Sequence, residues 1–309
     1  MKHTRSDNTK SSITIEGKKL HLTNLDKVLY PATGFTKGQV IEYYAKISEV
    51  LLPHVKNRPL TLKRYPNGVD GEYFYEKMCP SHHPDWIQTT RVASQHRKFV
   101  DYCTIDGLAS LIWVANLASL ELHTSLSHSD NVLRPSMIVF DLDPGEPAGL
   151  LQCVEVSLIF RDMLRDLGLA GFAKTSGGKG LHLYVPLNTE TDYDRTKTFA
   201  QALARSLAKR MPKLVTANMR KDLRKGKVFV DWSQNDDHKT TVCVYSLRAR
   251  EKPTVSAPIA WSTLETCHKK KNASGLVLDT EQVLKQVEKE GDLFAEVVSL
   301  RQKLPELAV

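Results

Sequence analysis

Two apolar runs that each lead into carboxylates constrain the fold of this chain more than any other feature. Met137–Phe140 is apolar and partly β-branched, as buried strands are, and it continues into Asp141 and Asp143. Because side chains alternate between the two faces of a strand, these two carboxylates point the same way. Lys227–Val230 is a second such run and leads into Asp231. A carboxylate between apolar neighbours is costly unless it is paired, so we expect a cation or hydrogen bonds there.

Between the acidic strands lies a glycine-rich turn, residues 176–182 (SGGKGLH). Glycines let a backbone approach a phosphate closely, and Ser176 and Lys179 add a hydroxyl and a cation. His182 alternates with apolar residues of the returning strand, which predicts that it faces a cleft. The alternative for the turn is an ordinary glycine hairpin with a surface lysine, and for Asp-x-Asp a surface acidic pair. The turn is not a P-loop, because that spacing is missing from the chain.

The order Asp-x-Asp, Ser-x-x-x-Gly-x-His and then a strand-borne Asp resembles the signature of the archaeo-eukaryotic primase superfamily. Nearly the whole chain resembles the polymerase module of the bacterial end-joining DNA ligase D. The resemblance implies an α+β primase-polymerase fold, with two opposed β-sheets flanked by helices around a central active-site cleft. From the residue pattern alone we would predict only a mixed α/β domain.

The resemblance also implies a role for each motif residue. Asp141, Asp143 and Asp231 would be catalytic and would hold two Mn²⁺ or Mg²⁺ ions, oxygen ligands being those that such cations prefer. An incoming NTP or dNTP would be bound by the residues that match the nucleotide-binding positions of the family: His123, Ser176, Lys179, Gly180, His182, Lys239 and Arg248. The alternative for His123 is a hydrogen-bonded histidine at a helix end.

The N-terminal third resembles the stretches with which this family grips DNA ends. By that resemblance, Asn24, Lys27, Lys37 and Lys63 would bind the 5′-phosphate across a gap or break. The residue spacing alone would favour solvated lysines.

An aromatic run and a basic run complete the implied DNA contacts. Phe74 and Tyr75 would stack on the template strand, and strand alternation would leave some rings of the run 73–75 in the core. Arg224, in the basic run 220–227, would help to seat the primer end.

Composition agrees with a polyanionic partner. The formal net charge is +8, with 43 Lys and Arg against 35 Asp and Glu. Five scattered cysteines without a Cys-x-x-Cys pair indicate a reducing compartment and no structural zinc. No apolar stretch approaches membrane-spanning length and the start is polar, so we expect a soluble protein in the bacterial cytoplasm, associated with the nucleoid.

We expect a disordered polar tail at residues 1–12 and a single catalytic domain at 13–309. The domain would comprise a DNA-end-binding part at about 13–135, a catalytic core at about 136–250 and a C-terminal segment at 251–309. The sequence predicts helices over residues 37–52, 108–123, 150–167, 195–210 and 280–290.

These expectations add up to an enzyme that adds one or a few nucleotides, preferably ribonucleotides, to 3′-hydroxyl ends in non-homologous end joining. By family resemblance its partners are gapped or broken DNA with a 5′-phosphate, Ku, and covalently linked ligase and phosphoesterase domains. Neither of those two activities is expected in this chain, because Lys-x-Asp-Gly and His-x-His are both missing. The alternatives are a DNA-end synapsis module with slow chemistry, a true primase, and an Asp-x-Asp phosphohydrolase.

Overall fold

The computed structural model describes residues 11–94 and 97–306. Its helices are α1 (Lys37–Val55), α2 (Leu108–Asn116), α3 (Leu150–Asp166), α4 (Tyr193–Arg210), α5 (Trp261–Lys270), α6 (Thr280–Glu290) and α7 (Ala295–Ser299). The strands of the first half are β1 (Ser11–Ile15), β2 (Lys18–Leu22), β3 (Val28–Tyr30), β4 (Phe35–Thr36), β5 (Leu60–Arg64), β6 (Phe74–Glu76), β7 (Thr89–Ala93), β8 (Phe99–Cys103), β9 (Ser119–Thr124), β10 (Ser127–His128) and β11 (Asn131–Pro135). Those of the second half are β12 (Met137–Pro144), β13 (Phe172–Thr175), β14 (Leu181–Pro186), β15 (Val215–Thr216), β16 (Val228–Asp231), β17 (Thr241–Val242), β18 (Leu247–Ala249), β19 (Pro253–Val255) and β20 (Pro258–Ile259).

Two six-stranded sheets form the frame of the molecule. The catalytic sheet has the order β15-β16-β12-β14-β13-β20, and the second sheet has the order β17-β9-β5-β8-β7 with β6 beside β5. Within these sheets only β15 and β16 run parallel. Helices α3 and α4 pack on the catalytic sheet, and α1 and α2 belong to the core of the second sheet. The predicted α+β class with two sheets and flanking helices is confirmed.

Strand β12 shows how the sequence positions the site. Ile138, Phe140 and Leu142 lie on one face of the strand and are buried in the core that includes α3 and α4. Val139 lies on the other face and belongs to the core of the second sheet. Asp141 and Asp143 continue this second face toward the exposed end of the strand, so alternation alone turns both carboxylates away from the helices.

Three details differ from the expectations. Helix α2 ends at Asn116, not at residue 123, because Ala118 takes a left-handed backbone conformation (φ 58°) and Leu120 and Leu122 then alternate into the core as part of β9. His123 therefore lies on a strand. Ser11 and Ser12 already belong to β1, so the tail prediction is wrong at those two residues, and residues 1–10 lie outside the described part.

The third difference concerns the cysteines: Cys79 and Cys103 form a disulfide, which their spread in the sequence does not predict. The chain brings them together because the loop after β6 is tied to β8, where Cys79 N donates to Asp101 O over 2.7 Å.

No helix in the described residues is both long and apolar enough to cross a membrane.

Candidate active site

A row of three polar side chains crosses the catalytic sheet on its cleft face. Asp141 on β12 lies opposite His182 on β14 and, on the other side, opposite Asp231 on β16. Directly opposed residues of antiparallel strands share a face. Asp143 lies two residues further along β12 and therefore on the same face. The structure thus brings together the three carboxylates that the sequence singled out from runs some ninety residues apart.

The electrostatics of these carboxylates favour a bound cation. Burial and the charges of Asp143 and Asp231 raise the pKa of Asp141 well above its usual range. Burial and Asp231 likewise raise the pKa of Asp143, while Arg224 and Arg248 act against that rise. Neighbouring carboxylates repel one another unless a cation or a proton intervenes. The donor set of hard oxygens therefore fits a divalent ion such as Mg²⁺ or Mn²⁺.

Asp231 is held by the turn that follows it. Its Oδ1 accepts from Ser233 N at 2.8 Å and Ser233 Oγ at 2.6 Å, and its Oδ2 accepts from Gln234 Nε2 at 2.9 Å. Lys239 Nζ donates to the same Ser233 hydroxyl over 2.6 Å. Lys239 is thus connected to Asp231 through one hydroxyl, which accounts for its place in this site.

A second acidic group lies nearby. In the described part of the chain, Asp236, Asp237 and His238 are the three residues whose ligand atoms all come within 4.8 Å of one another, and the three site carboxylates do not close to that spacing. Asp236 already accepts from Lys197 Nζ at 2.6 Å. The ion pair with Lys197 and the hydrogen bond from His238 N to Asp236 Oδ1 within the turn explain why these side chains lie close together.

Asp141 and Asp143 border a cleft of about 300 Å³ between the two sheets, whereas Asp231 is not among its lining residues. Most of the residues expected to bind a nucleotide line it. The lining comprises His123, Asp141, Asp143, Pro144, Ser176, Lys179, Gly180, His182, Gln234, Thr240, Thr241, Val242, Arg248 and Arg250. Val242 on β17 pairs with His123 on β9, which brings the second sheet to the cleft. Gln234 and Arg250 are lining residues that the sequence analysis missed, although Arg250 alternates with Arg248 along the chain.

The glycine-rich turn is built for close approach. Ser176 Oγ accepts from Gly180 N at 3.1 Å, which closes the turn. A Cβ at Gly180 would collide with the carbonyl oxygen of Leu142, so only glycine fits against β12 there. Gly177 has φ +72°, a left-handed value that glycine adopts without strain. Lys179 is 75% exposed and pairs with Glu146 at 2.8 Å.

His182 is oriented by the buried side chain of Lys174. Its Nε2 lies 3.3 Å from Asp141 Oδ1, and its Nδ1 accepts from Lys174 Nζ at 3.1 Å. Lys174 also donates to Ser256 Oγ over 2.6 Å. Burial and the charge of Arg248 lower the pKa of Lys174 to about 7. Lys174 was not predicted from the sequence, because its partner Ser256 is far away in the chain.

Three of the four residues expected at the DNA 5′-phosphate lie together at the start of α1. Lys27 N donates to Asn24 O over 3.0 Å and Lys37 N donates to Lys27 O over 2.8 Å. Lys37 Nζ is buried and donates to Thr23 O over 2.6 Å. Burial and the charges of Lys27 and Arg64 lower the pKa of Lys37 to about 8. An anion here would gain from cations that otherwise repel one another.

The structure does not bring Lys63 together with those three. Lys63 and Arg64 are neighbours on β5 and so point to opposite faces, and it is Arg64 whose charge acts on Lys37. Lys63 lies 3.6 Å from Glu121 on the cleft side. It also lies 4.3 Å from the ring centre of Tyr73.

All three rings of the aromatic run are exposed: Tyr73 by 53%, Phe74 by 43% and Tyr75 by 55%. The expectation that some would lie in the core is wrong, because in the described part of the chain β6 pairs with β5 alone and its rings contact single side chains rather than a packed layer. Tyr75 meets His123 edge-on at 5.8 Å, whereas Phe74 lies against the guanidinium of Arg64 on the other face.

Arg224 lies beside the end of β12. Its guanidinium stacks on Phe229 at 3.7 Å from the ring centre and donates to Met219 O over 2.8 Å. Phe229 pairs with Asp143 across the sheet. The basic run therefore lies next to the carboxylates, as the expected primer contact requires.

Comparison with known proteins settles the family. The model of the LigD primase-polymerase domain matches residues 36–294. The chain belongs to the LigD primase-polymerase family. Members of this family are metal-dependent nucleotidyltransferases of the polymerase type, so the predicted enzyme class and relationship to ligase D are confirmed.

Relatives of this LigD-type domain are found in several bacteria. The multifunctional non-homologous end joining DNA repair protein LigD of Mycobacterium tuberculosis is 44% identical over 286 residues, which are 90% of this chain and 37% of that protein. The bifunctional non-homologous end joining protein LigD of Bacillus subtilis is 31% identical over 277 residues, 89% of this chain and 44% of that protein. The chain thus spans less than half the length of these relatives. The polymerase domain from Mycobacterium tuberculosis ligase D, solved in complex with DNA, superposes with a TM-score of 0.84 at 42% identity, over 92% of this chain and 99% of that one.

Proposed function

We propose that this chain adds one or a few nucleotides, ribonucleotides in preference, to 3′-hydroxyl ends at gaps and double-strand breaks during non-homologous end joining. The observation that carries the proposal is the row Asp231–Asp141–His182 with Asp143, which faces a cleft lined by cationic side chains. That combination suits a polyphosphate that is bound together with cations.

Asp141, Asp143 and Asp231 would hold two Mn²⁺ or Mg²⁺ ions. When bound, such ions neutralise developing charge and make a hydroxyl more acidic, which is what an in-line attack of a 3′-hydroxyl on the α-phosphate needs. The other side chains of the site would then hold and orient these carboxylates. Ser233, Gln234 and His182 hold two of the carboxylates, which limits their reorganisation during the reaction.

The triphosphate would lie along the glycine-rich turn. Gly180 and Ser176 let the backbone approach it, and Lys179 and Arg248, which both line the cleft, supply positive charge. Lys179 is held only by an exposed ion pair with Glu146, which is a weak interaction that a phosphate can replace. His123, His182 and Lys239 complete the set expected to contact the nucleotide.

The DNA end would be held at the start of α1. Asn24, Lys27 and Lys37 form one group there, with the charge of Arg64 close by. A terminal phosphate carries about one more negative charge than an internal one, so this group can discriminate it. We propose that Lys63, on the cleft face, contacts the nucleic acid or nucleotide there and not the same phosphate.

Phe74 and Tyr75 would stack on template bases, each from its own face of β6. Exposed aromatic rings beside cations are a sequence-tolerant way to bind unpaired bases. Arg224 would contact the primer end next to Asp143. The proposed partners are Ku and covalently linked ligase and phosphoesterase domains, and the proposed place of action is the bacterial cytoplasm, at the nucleoid.

Primer extension on a one-nucleotide gap tests the proposal. Substrates with and without the downstream 5′-phosphate are compared, each with NTPs and with dNTPs in Mn²⁺. We expect phosphate-stimulated addition with NTPs favoured. Equal use of both nucleotide types would remove the ribonucleotide preference, and tight phosphate-dependent binding without any addition would favour the end-synapsis module. Synthesis without a primer on single-stranded template would favour a true primase.

A further inference from the structure

Glu121 is a buried carboxylate that no part of the proposed mechanism uses. It lies on β9 between Leu120 and Leu122, which point into the core, and only 1% of it is exposed. Burying a charge is costly unless it is paired. Burial by itself would raise the pKa of Glu121, but the hydrogen bond from His123 and the charges of Arg248 and Lys63 lower it to about 2. The carboxylate is therefore ionised throughout the neutral range.

Its partners come from three different strands. Oε2 accepts from His123 Nε2 at 3.0 Å on β9 itself. Oε1 accepts from Ala249 N at 3.1 Å and lies 3.4 Å from Arg248 Nε, both on β18. Lys63 Nζ, on β5, lies 3.6 Å from Oε1. One carboxylate thus gathers three side chains that can carry positive charge.

Two of these side chains, Arg248 and Lys63, are cations that would not stay together by themselves. Arg248 acts to lower the pKa of Lys63, which expresses the repulsion between them, and both act to lower the pKa of His123, which favours its neutral form. His123 and Arg248 both line the cleft. Arg248 Nε makes no hydrogen bond, so its position depends on the charge of Glu121 and on packing. In the described residues, no hydrogen bond occupies the two terminal nitrogens of Arg248.

We propose that Glu121 is the positioning residue of the nucleotide cleft. It holds His123, Arg248 and Lys63 in register, and it leaves the outer edge of the Arg248 guanidinium free for a phosphate. Because the carboxylate only accepts, it also fixes the proton of neutral His123 on Nε2. This inference rests on the proposed function, since it takes the cleft to bind a nucleoside triphosphate.

The test compares Glu121→Gln with Asp292→Asn. Gln keeps the size of the side chain and an acceptor oxygen but removes the charge. Asp292 is a matched control, because it is also a largely buried carboxylate that accepts from a histidine, His54 Nε2 at 2.8 Å, but it does not line the cleft. ATP affinity is measured by calorimetry with Mg²⁺, kcat and KM by gap filling, and folding by thermal unfolding.

We expect Glu121→Gln to weaken ATP binding and raise KM by about tenfold, with kcat within about threefold of wild type. Asp292→Asn lowers the melting temperature but leaves ATP affinity unchanged. Wild-type ATP affinity in a folded Glu121→Gln protein overturns the proposal. An equal loss of affinity in Asp292→Asn also overturns it, because the effect would then follow general destabilisation.

A double-mutant cycle separates positioning from a structural role. If Glu121 acts through Arg248, then Glu121→Gln in the Arg248→Ala background costs much less affinity than in wild type. Additive losses contradict the proposal. Should Glu121→Gln fail to fold, Glu121→Asp enters the same cycle: it keeps the charge but is one methylene shorter, which draws the carboxylate away from Arg248, so its cost in affinity should likewise be smaller in the Arg248→Ala background. A wild-type protein that binds no ATP overturns the proposed function itself. If the wild type binds ATP and the Glu121→Gln variant binds it equally well, only the role of Glu121 is overturned.

Discussion

Asp141→Asn should stabilise the metal-free protein while it abolishes nucleotide addition. Asp141 lies directly opposite Asp231, and Cα atoms of such pairs are about 4.5–5.5 Å apart. Two unit charges about 5 Å apart repel by roughly 3 kcal/mol at an effective dielectric constant near 20. Lys174 and Arg248 offset part of this repulsion. We therefore expect a net gain of about 2 kcal/mol in the free energy of unfolding on removal of the charge.

This gain corresponds to a measurable change in melting temperature. For a domain of 309 residues the unfolding entropy is roughly 0.65 kcal/mol/K, so about 2 kcal/mol raises the melting temperature by about 3 °C. The assay is thermal unfolding in EDTA at pH 8. Asp130→Asn is the control, because its side chain is 72% exposed and 3.9 Å from its nearest cation, and we expect a change below about 1 °C.

The pH dependence gives the sign of the effect. The folded-state pKa of Asp141 is raised, so the stability that this carboxyl contributes is fully present below its unfolded pKa of 3.8 and is lost as pH rises through the folded value. The advantage of Asp141→Asn should therefore be small near pH 4 and large at pH 8. Adding Mn²⁺ should stabilise the wild type and have little effect on the variant. A variant that is less stable than wild type at pH 8 in EDTA would refute the argument from repulsion.

Three further predictions concern the DNA end and the cleft. The pKa of Lys37 is lowered to about 8, so the preference for a 5′-phosphorylated gap should fall as pH rises from 7 to 9, and it should fall less in Lys37→Arg. Fluorescence anisotropy with phosphorylated and unphosphorylated gaps measures this preference, and a preference that stays constant with pH contradicts the prediction. Lys27→Ala should reduce the preference for 5′-phosphorylated gaps severalfold, whereas Lys63→Ala should chiefly raise KM for the nucleotide. Steady-state gap filling measures both effects, and an equal loss of phosphate preference in the two variants would place Lys63 with Lys27. Phe74→Ala should lower templated over untemplated addition by at least about threefold; unchanged nucleotide choice would remove Phe74 from the template.

The catalytic strands were predictable because the information is local. Alternation along β12 determines that Asp141 and Asp143 share a face, and one apolar run before Asp231 is enough to predict its strand. What alternation does not contain is the register between strands. The position of Asp141 between His182 and Asp231 depends on pairing between segments forty to ninety residues apart, so only the family signature anticipated it.

The features that were not predicted from the sequence have related causes. Glu121 had a local signal, since Leu-Glu-Leu-His alternates and puts Glu121 and His123 on one face, but its partners on β5 and β18 are remote in sequence. The end of α2 was missed because helix and strand periods are hard to separate in a short apolar segment. The exposure of Tyr73–Tyr75 was missed because it depends on β6 having a single neighbour, which is a property of the sheet.

The most direct test of the central claim is single-turnover extension by Asp231→Asn, with DNA affinity measured on the same protein. Asp231 lies in the carboxylate row of the catalytic sheet, whereas the group around Lys37 lies at the start of α1, so the charge of Asp231 should be needed for nucleotide transfer and not for holding the DNA end. We predict that extension falls by at least about a thousandfold while affinity for gapped, 5′-phosphorylated DNA stays within about twofold of wild type. Extension at the wild-type rate by a protein that has lost this charge would contradict it.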